Sequence, residues 1–302
     1  VKLSVITPTH NRMGLLEQAL EALDVQTYRP DGSAGFELVV TVDGSTDGTL
    51  VMLEAFKRRA SFPITVLSLP QGGQARARNQ AIRAATGDVL VFMDDDLIFG
   101  PDTLSRHAAF HEVHPNDIAV GAVRNASDGR LDLPRVVTWM NFTGMNVSVS
   151  RQAVLDVGLF DESFAGYGGE DLDLGIRLER AGHRFRILKD AVSTHLAPAA
   201  RDAHKGLAAG RAARILTERY GPEVGLMLGV HPVVLGLKRV VMNPVMDVIL
   251  GRNPSYVFER AYMKGAREQR PESVTEINTG PERPESKKAK TLKLPSQTKD
   301  SK

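Results

Sequence analysis

The sequence of 302 residues contains no cysteine. Disulfide frameworks, cysteine-based zinc sites and thiol nucleophiles are therefore excluded, and the composition fits a reducing compartment such as the cytoplasm. Long apolar runs are also lacking. The longest mainly apolar stretch, Val224 to Leu237, has 14 residues and contains His231 and Pro232. A spanning helix wants roughly 18–20. Net charge is small, at +2, and sits at the end of the chain. Residues 281–302 carry seven Lys or Arg against three Asp or Glu, which leaves 31 against 33 elsewhere. A basic face for nucleic acid is thus not expected on the body of the protein. The chain does have 42% hydrophobic and 25% charged residues, enough for a packed core and against wholesale disorder.

The first half alternates between two periods. Leu3-Ser4-Val5-Ile6 is a β-prone run, and Leu15, Leu16, Ala19, Leu20 and Leu23 then recur at helical spacing. Phe36 to Val42, Ile64 to Leu69 and Val89 to Met93 read as further strands. Helices fall between them, through Leu50, Leu53 and Phe56 and from Gln74 to Ala85. This repetition predicts an α/β fold with βαβ units and a mainly parallel sheet flanked by helices. Later the order loosens. Leu104 to His114 and Glu170 to Ala181 read as helices. Ile118 to Val123, Met145 to Val149, Phe185 to Leu188 and Ala191 to Thr194 read as strands. Residues 199–270 read as a C-terminal helical extension. Residues 271–302, rich in Pro, Glu, Ser, Thr and Lys, read as a disordered basic tail.

Ligands of a parallel sheet bind outside the carboxyl ends of its strands. The first strand is followed by Thr7-Pro8-Thr9-His10-Asn11-Arg12, the second by Asp43-Gly44-Ser45, the fourth by Asp94-Asp95-Asp96 and a late strand by His195. Three adjacent carboxylates at a strand end repel one another unless a cation or hydrogen-bond donors share the site. A divalent ion such as Mg2+ or Mn2+ answers that need and brings phosphates with it. The bland alternative is a helix cap near Pro101. Gly72-Gly73 opens a helix bearing Arg76 and Arg78, so amides and guanidinium could hold an anion there. Gly168-Gly169-Glu170-Asp171-Leu172-Asp173 places carboxylates in the first turn of a helix, either to suit its dipole or to present a general base. His107, His111 and His114 share a helix at i, i+4 and i+7 and read as a solvated face.

In this order the segments resemble family 2 glycosyltransferases of the GT-A fold. The resemblance rests on Ser4 to Arg12, Val42 to Thr49, Ala77-Arg78-Asn79 with Thr86-Gly87-Asp88, Phe92 to Asp96, and Gly168 to Leu174 with Ile176-Arg177-Leu178. The Gly-Gly-Glu-Asp segment also looks like that of galactosyl- and N-acetylgalactosaminyl-transferases. The resemblance implies a catalytic domain over residues 1–198. On the donor side it implies Pro8, Thr9, Asn11, Arg12, Asp43, Arg78, Asp94 and Asp95, with Asp43 on the base edge, Asp94 near the ribose and Arg78 near the diphosphate. It assigns the metal, Mn2+ or Mg2+, to Asp96, His195 and Asp94. Asp171 becomes the catalytic base and Glu170 an acceptor contact. Relatives often carry a second Asp where Val42 stands.

The activity so implied is metal-dependent, inverting transfer of a sugar from a nucleotide-sugar donor, UDP-linked, to a hydroxyl of a saccharide or lipid-linked saccharide. Two alternatives stand beside it: a nucleotidyltransferase making nucleotide sugars, and an inactive nucleotide-sugar-binding module. A retaining transferase is a mechanistic variant. Acceptor contacts are expected around Asn125 to Thr143, which holds Trp139, the only tryptophan. Residues 222–251 are apolar with Lys238-Arg239 adjacent. They are expected to lie in a membrane interface on the cytoplasmic face, or else to pack on the catalytic domain or form a homodimer contact.

Overall fold

The computed structural model describes residues 1–268 except 135, 165–167, 198–201, 243–245, 247–249 and 251–252. The expected tail over 271–302, and Val245, Val248 and Ile249 of the apolar stretch, lie outside the described residues. Residues Val1–Glu268 form one compact unit.

The alternation read in the sequence builds one half of a sheet. Strands β1 (Leu3–Thr9), β2 (Phe36–Asp43), β3 (Ile64–Leu69) and β4 (Val89–Phe92) run parallel in the order β3-β2-β1-β4. Every residue of β1, β2 and β4 is buried, as strands covered on both faces require. Alternate side chains feed opposite cores. Val5, Leu38 and Val40 join Leu16, Leu20 and Leu23 of α1 (Met13–Asp24) and Leu53 of α2 (Thr49–Lys57). Ile6 and Val39 join Ala81 and Ile82 of α3 (Gln74–Ala84) on the other face. Each such fully buried Leu, Val or Ile contributes about 1.5–3 kcal/mol.

Beyond β4 the sheet turns mixed. Strand β8 (Val147–Ser150) pairs antiparallel with β4, and the order continues β8-β6-β9-β5, with β5 spanning Leu97–Phe99, β6 Ile118–Asn125 and β9 Phe185–His195. A short strand, β7 (Leu131–Asp132), pairs with β6 off this path. The two late β-prone pieces are one strand. A register shift between Gly121 and Ala122 absorbs the break, and β9 then carries His195 opposite Leu97.

Helix α4 (Thr103–Val113) corrects the solvated-histidine reading. His107 and His111 are 0% and 2% exposed. His107 pairs through Nδ1 with Ser148 Oγ at 2.7 Å and through Nε2 with Asn146 Oδ1 at 2.9 Å. His111 Nε2 lies 2.8 Å from Ser148 Oγ. Burial lowers the pKa of both rings to about 4. The helical spacing marked the buried face, because β8 offers Ser148 where an apolar strand would have excluded imidazoles.

After α5 (Arg151–Asp156) comes α6 (Glu170–Arg180), which bears the Glu-Asp pair. Its first turn is anchored by Asp173, fully buried. Asp173 accepts from Arg177 Nε at 2.8 Å, Arg219 Nη1 at 2.6 Å and the Tyr220 hydroxyl at 2.7 Å. The last two end α7 (Ala203–Tyr220), so the C-terminal helices hold the helix that carries the expected base. Helix α7 meets α10 (Pro254–Gly265) at backbone distance. A Cβ at Gly206 or Gly210 would fall 2.3 or 2.0 Å from the carbonyl oxygen of Phe258 or Tyr262, and one at Gly265 would fall 2.2 Å from that of Leu207. Between them lie α8 (Pro222–Met227) and α9 (Pro232–Val241). Pro222–Val241 spans 20 residues at mean hydropathy 1.5, long and apolar enough to cross a membrane by length and composition. That is longer than the 14-residue run suggested, but here it is broken into two helices by the turn before Pro232. Val233, Leu237, Val240 and Val241 of α9 are exposed.

Candidate active site

The parallel half delivers three strand ends to one edge. At the end of β1, the Thr9 hydroxyl donates to Asp95 Oδ2 at 2.8 Å. Arg12, just beyond, donates through Nη1 to Asp95 Oδ1 at 3.0 Å and to Asp96 Oδ2 at 2.8 Å. The crowding foreseen for the Asp triplet is thus relieved in part by an arginine. At the end of β2, Asp43 Oδ1 and Oδ2 accept the amides of Gly72 and Gly73 at 2.7 and 2.9 Å. The anion held by that glycine pair is therefore a carboxylate of the protein itself, and the pair is already engaged. Asn11 adopts a left-handed φ of 51° and accepts from the Thr46 amide at 2.8 Å. It ties two loops together and is not among the residues lining the cavity. Its amide is spent on the turn, which the sequence alone could not disclose.

Asp94 points away from its neighbours. Its Oδ1 accepts from Arg78 Nη2 at 3.0 Å, while Arg78 Nη1 donates to Asp171 Oδ1 at 2.8 Å and lies 3.8 Å from Glu170 Oε1. Arg78 is 1% exposed, and Gly144 makes room for it: a Cβ there would lie 2.2 Å from Nη2. One buried guanidinium thus bridges Asp94, expected on the donor side, and the expected base. Burial pushes the Asp94 carboxyl up to about 6 against the pull of Arg78. Burial also raises Asp171 above the usual carboxylate range, opposed by Arg78 and reinforced by Glu170 and Asp94. Glu170 is 4% exposed, and its Oε2 is buried without a hydrogen-bond partner.

His195, at the end of β9, brings Nε2 to 3.2 Å from Asp96 Oδ1. That oxygen is buried and accepts no hydrogen bond. Burial pushes Asp96 up, but His195 and Arg12 outweigh it and hold the carboxyl below its ordinary range. An ionised carboxylate oxygen and an imidazole nitrogen facing one point suit a divalent cation. Asp94, expected as a third ligand, is turned to Arg78. Among the described residues no group of three His, Asp or Glu side chains could hold a metal. Asp96 and His195 are therefore the two residues that would hold such an ion.

Around these groups lies a cavity of about 740 Å3. Of the expected residues, Pro8, Thr9, Arg12, Asp43, Arg78, Asp94, Asp95, Asp96, Glu170, Asp171 and His195 line it. His10, Gln71, Gln74 and Met145 line it too, as do Lys205, Ala209, Ala212 and Ala213 of α7, Leu228 and Tyr262. The sequence reading missed the α7 and later residues because alanines on a helix, and single Lys, Leu and Tyr residues distant in sequence, carry no motif. Of the expected acceptor loop, Phe142 and Thr143 reach the cavity. Trp139 does not line it. It is buried with Ile176, Leu216 and Val224.

The family model for glycosyl transferase family 2 matches residues 4–166. The chain belongs to that family. Among curated relatives of this family 2 glycosyltransferase, the uncharacterized glycosyltransferase YfnE of Bacillus subtilis (strain 168) is 32% identical, over 65% of this chain and 64% of the relative. The chain thus spans less than two thirds of that relative's length, and half of another's. Solved structures share the GT-A fold. Residues 1–349 of TarS from Staphylococcus aureus, in complex with UDP-GlcNAc, align with TM-score 0.57 at 21% identity, covering 88% of this chain and 92% of that one. The mannosyltransferase PcManGT from Pyrobaculum calidifontis, in complex with GDP-Man and Mn2+, aligns with TM-score 0.59 at 20% identity, covering 88% and 85%.

Proposed function

We propose that this chain is a metal-dependent, inverting glycosyltransferase that moves a sugar from a UDP-linked donor to a hydroxyl of a saccharide or lipid-linked saccharide. The observation that carries the reading is the placement of two sites on either side of Arg78. On one side, Asp96 Oδ1 lies 3.2 Å from His195 Nε2, with Asp94 and Asp95 adjacent in sequence. On the other, Asp171 and Glu170 open the N-terminus of α6. The relatives support a nucleotide-sugar donor, since TarS holds UDP-GlcNAc and PcManGT holds GDP-Man with Mn2+.

Asp96 and His195 would hold the ion. When bound, it neutralises charge on the departing diphosphate. On this reading Asp43 and Thr9 meet the nucleoside, and Arg78 presents a fixed cation to the donor side. Asp171 takes the proton of the acceptor hydroxyl as its oxygen attacks the anomeric carbon. The bond from that carbon to the phosphate oxygen breaks, its electron pair leaves with the nucleoside diphosphate, and a single in-line step inverts the centre. The Glu-Asp pair on a rigid helix favours transfer over nucleotide-sugar synthesis, which needs no acceptor-side base. The cytoplasmic face of a membrane, where lipid-linked acceptors are available, is the location this reading implies.

The test is a hydrolysis and transfer screen of UDP-sugars with Mn2+ or Mg2+. Asp96→Asn is expected to weaken UDP binding and nearly abolish turnover. Full activity of the parent in excess chelator overturns the metal assignment.

A further inference from the structure

The cavity has a polar end and an apolar end, and a chain of contacts fixes their order. Asp94 bonds to Arg78, and Arg78 to Asp171. Two residues earlier, Gly169 sits so close to α7 that a Cβ on it would fall 2.7 Å from the Ala212 Cβ. Around Ala212 the lining is Ala209, Ala213, Leu228 and Tyr262, with Lys205 a turn before Ala209 on α7 as a charged member. The Tyr262 hydroxyl donates to the Leu228 carbonyl at 2.7 Å, so that polar tip is used and its ring is left as wall. At the boundary stands Glu170, more than nine-tenths buried, lining the cavity, with Oε2 lacking a hydrogen-bond donor.

A buried carboxylate oxygen without a donor is costly unless a ligand supplies one. A hydroxyl is the donor that suits it. Apart from Lys205, the wall beyond is a poor match for a bare sugar, most of whose remaining hydroxyls would be desolvated against alanine, leucine and a tyrosine ring. An apolar group suits it. Resting on the glycosyltransferase reading, we propose that the acceptor is amphiphilic. Its head places a hydroxyl between Glu170 Oε2 and Asp171, and its hydrocarbon or aromatic aglycone lies against Ala209, Leu228 and Tyr262. The C-terminal helices are thus the acceptor subsite. Leu228 faces this compartment while its neighbours Leu226 and Met227 are exposed, so apolar surface continues from the wall to the outside of the protein, along which a tail can leave.

The experiment titrates the full chain, loaded with Mn2+ and UDP, with methyl and octyl glucosides below micellar concentration. The octyl compound is expected to bind at one site at least about tenfold more tightly, the worth of a filled apolar pocket. Ala209→Trp, which fills the wall, removes this preference, and Leu228→Ser reduces it. Retained UDP binding reports that each variant is folded. Val51→Ser, on the exposed face of α2 and away from the cavity, leaves the preference intact. Equal affinity for the two glucosides, or an octyl preference undiminished in Ala209→Trp, overturns the proposal. Failure of the glycosyltransferase reading looks different: UDP then does not bind and no UDP-sugar is cleaved, whichever glucoside is present.

Discussion

Replacing Asp173 with alanine should separate what holds the Glu-Asp helix from what performs chemistry. Asp173 is fully buried and accepts from Arg177, Arg219 and Tyr220. Removing one partner of a buried ion pair costs about 3–5 kcal/mol, because the remaining charge is stranded. Here the strands are partly rescued. Arg177 and Arg219 are 22% and 36% exposed, and Arg219 keeps Asp161 at 2.8 Å. A loss of about 2–3 kcal/mol is the reasoned figure once solvent screening is allowed for. At about 2–4 °C per kcal/mol for a unit of this size, the melting midpoint falls by about 4–12 °C. Asp173→Asn keeps the shape and part of the bonding and should lose less. Calorimetry measures the midpoint, and UDP titration reports the donor site, which is built on other strands and should keep its affinity. Turnover should fall further than the lost stability alone explains, because the N-terminus of α6 is no longer fixed to α7. An alanine variant that melts within about 1 °C of the parent refutes the reasoning, since the network would then contribute nothing net.

Asp171→Asn is expected to leave UDP affinity near the parent's and lower turnover by about two to four decades; loss of UDP binding with turnover kept would move Asp171 to the donor site. Because burial holds the Asp171 carboxyl above the usual range and only its ionised form takes a proton, kcat/KM of the parent should climb with pH well above ordinary carboxylate titration. His107 and His111 titrate near 4 when folded and near 6.5 when unfolded, so the unfolded chain binds more protons between those values. Stability is therefore fully present above about 6.5 and drains away as pH falls toward 4. Urea midpoints across that window should drop, His107→Gln should flatten the slope, and a pH-independent midpoint in the parent would contradict the burial argument.

Much of the parallel half is legible because local pattern and tertiary role coincide there. The apolar runs Leu3–Ile6 and Val89–Met93 could only be covered strands, and the polar residues after them had to gather at one edge. What could not be read is how those polar groups are shared out once gathered. Asp94 and Asp96 are two residues apart, yet one faces Arg78 and the other His195, a division set by the end of β4, α3 and β9 meeting in space. Asn11 is spent on a turn for the same reason. His107 and His111 illustrate the opposite failure: the periodicity was visible, but its sense depended on a serine in a strand 37 residues away or more. Strand β5, of three residues, and the α7 wall carry too little period or chemistry to announce themselves. Trp139 drew attention as a rare residue and is buried in a core.

Helix α7 presents glycines at positions 206 and 210 toward α10 and alanines at 209 and 212 toward the cavity. The glycines and Ala209 obey opposite rules of tolerance. No side chain of any size fits where backbone meets backbone, so the distance between these helices acts as a fixed gauge. Ala209 has the cavity ahead of it, whereas Ala212 is held tight against Gly169. On the proposed acceptor reading, a larger residue at position 209 therefore narrows the guest that fits without renegotiating the fold. A wider one would demand that α10 retreat, and Gly206, Gly210 and Gly265 are what hold it in place.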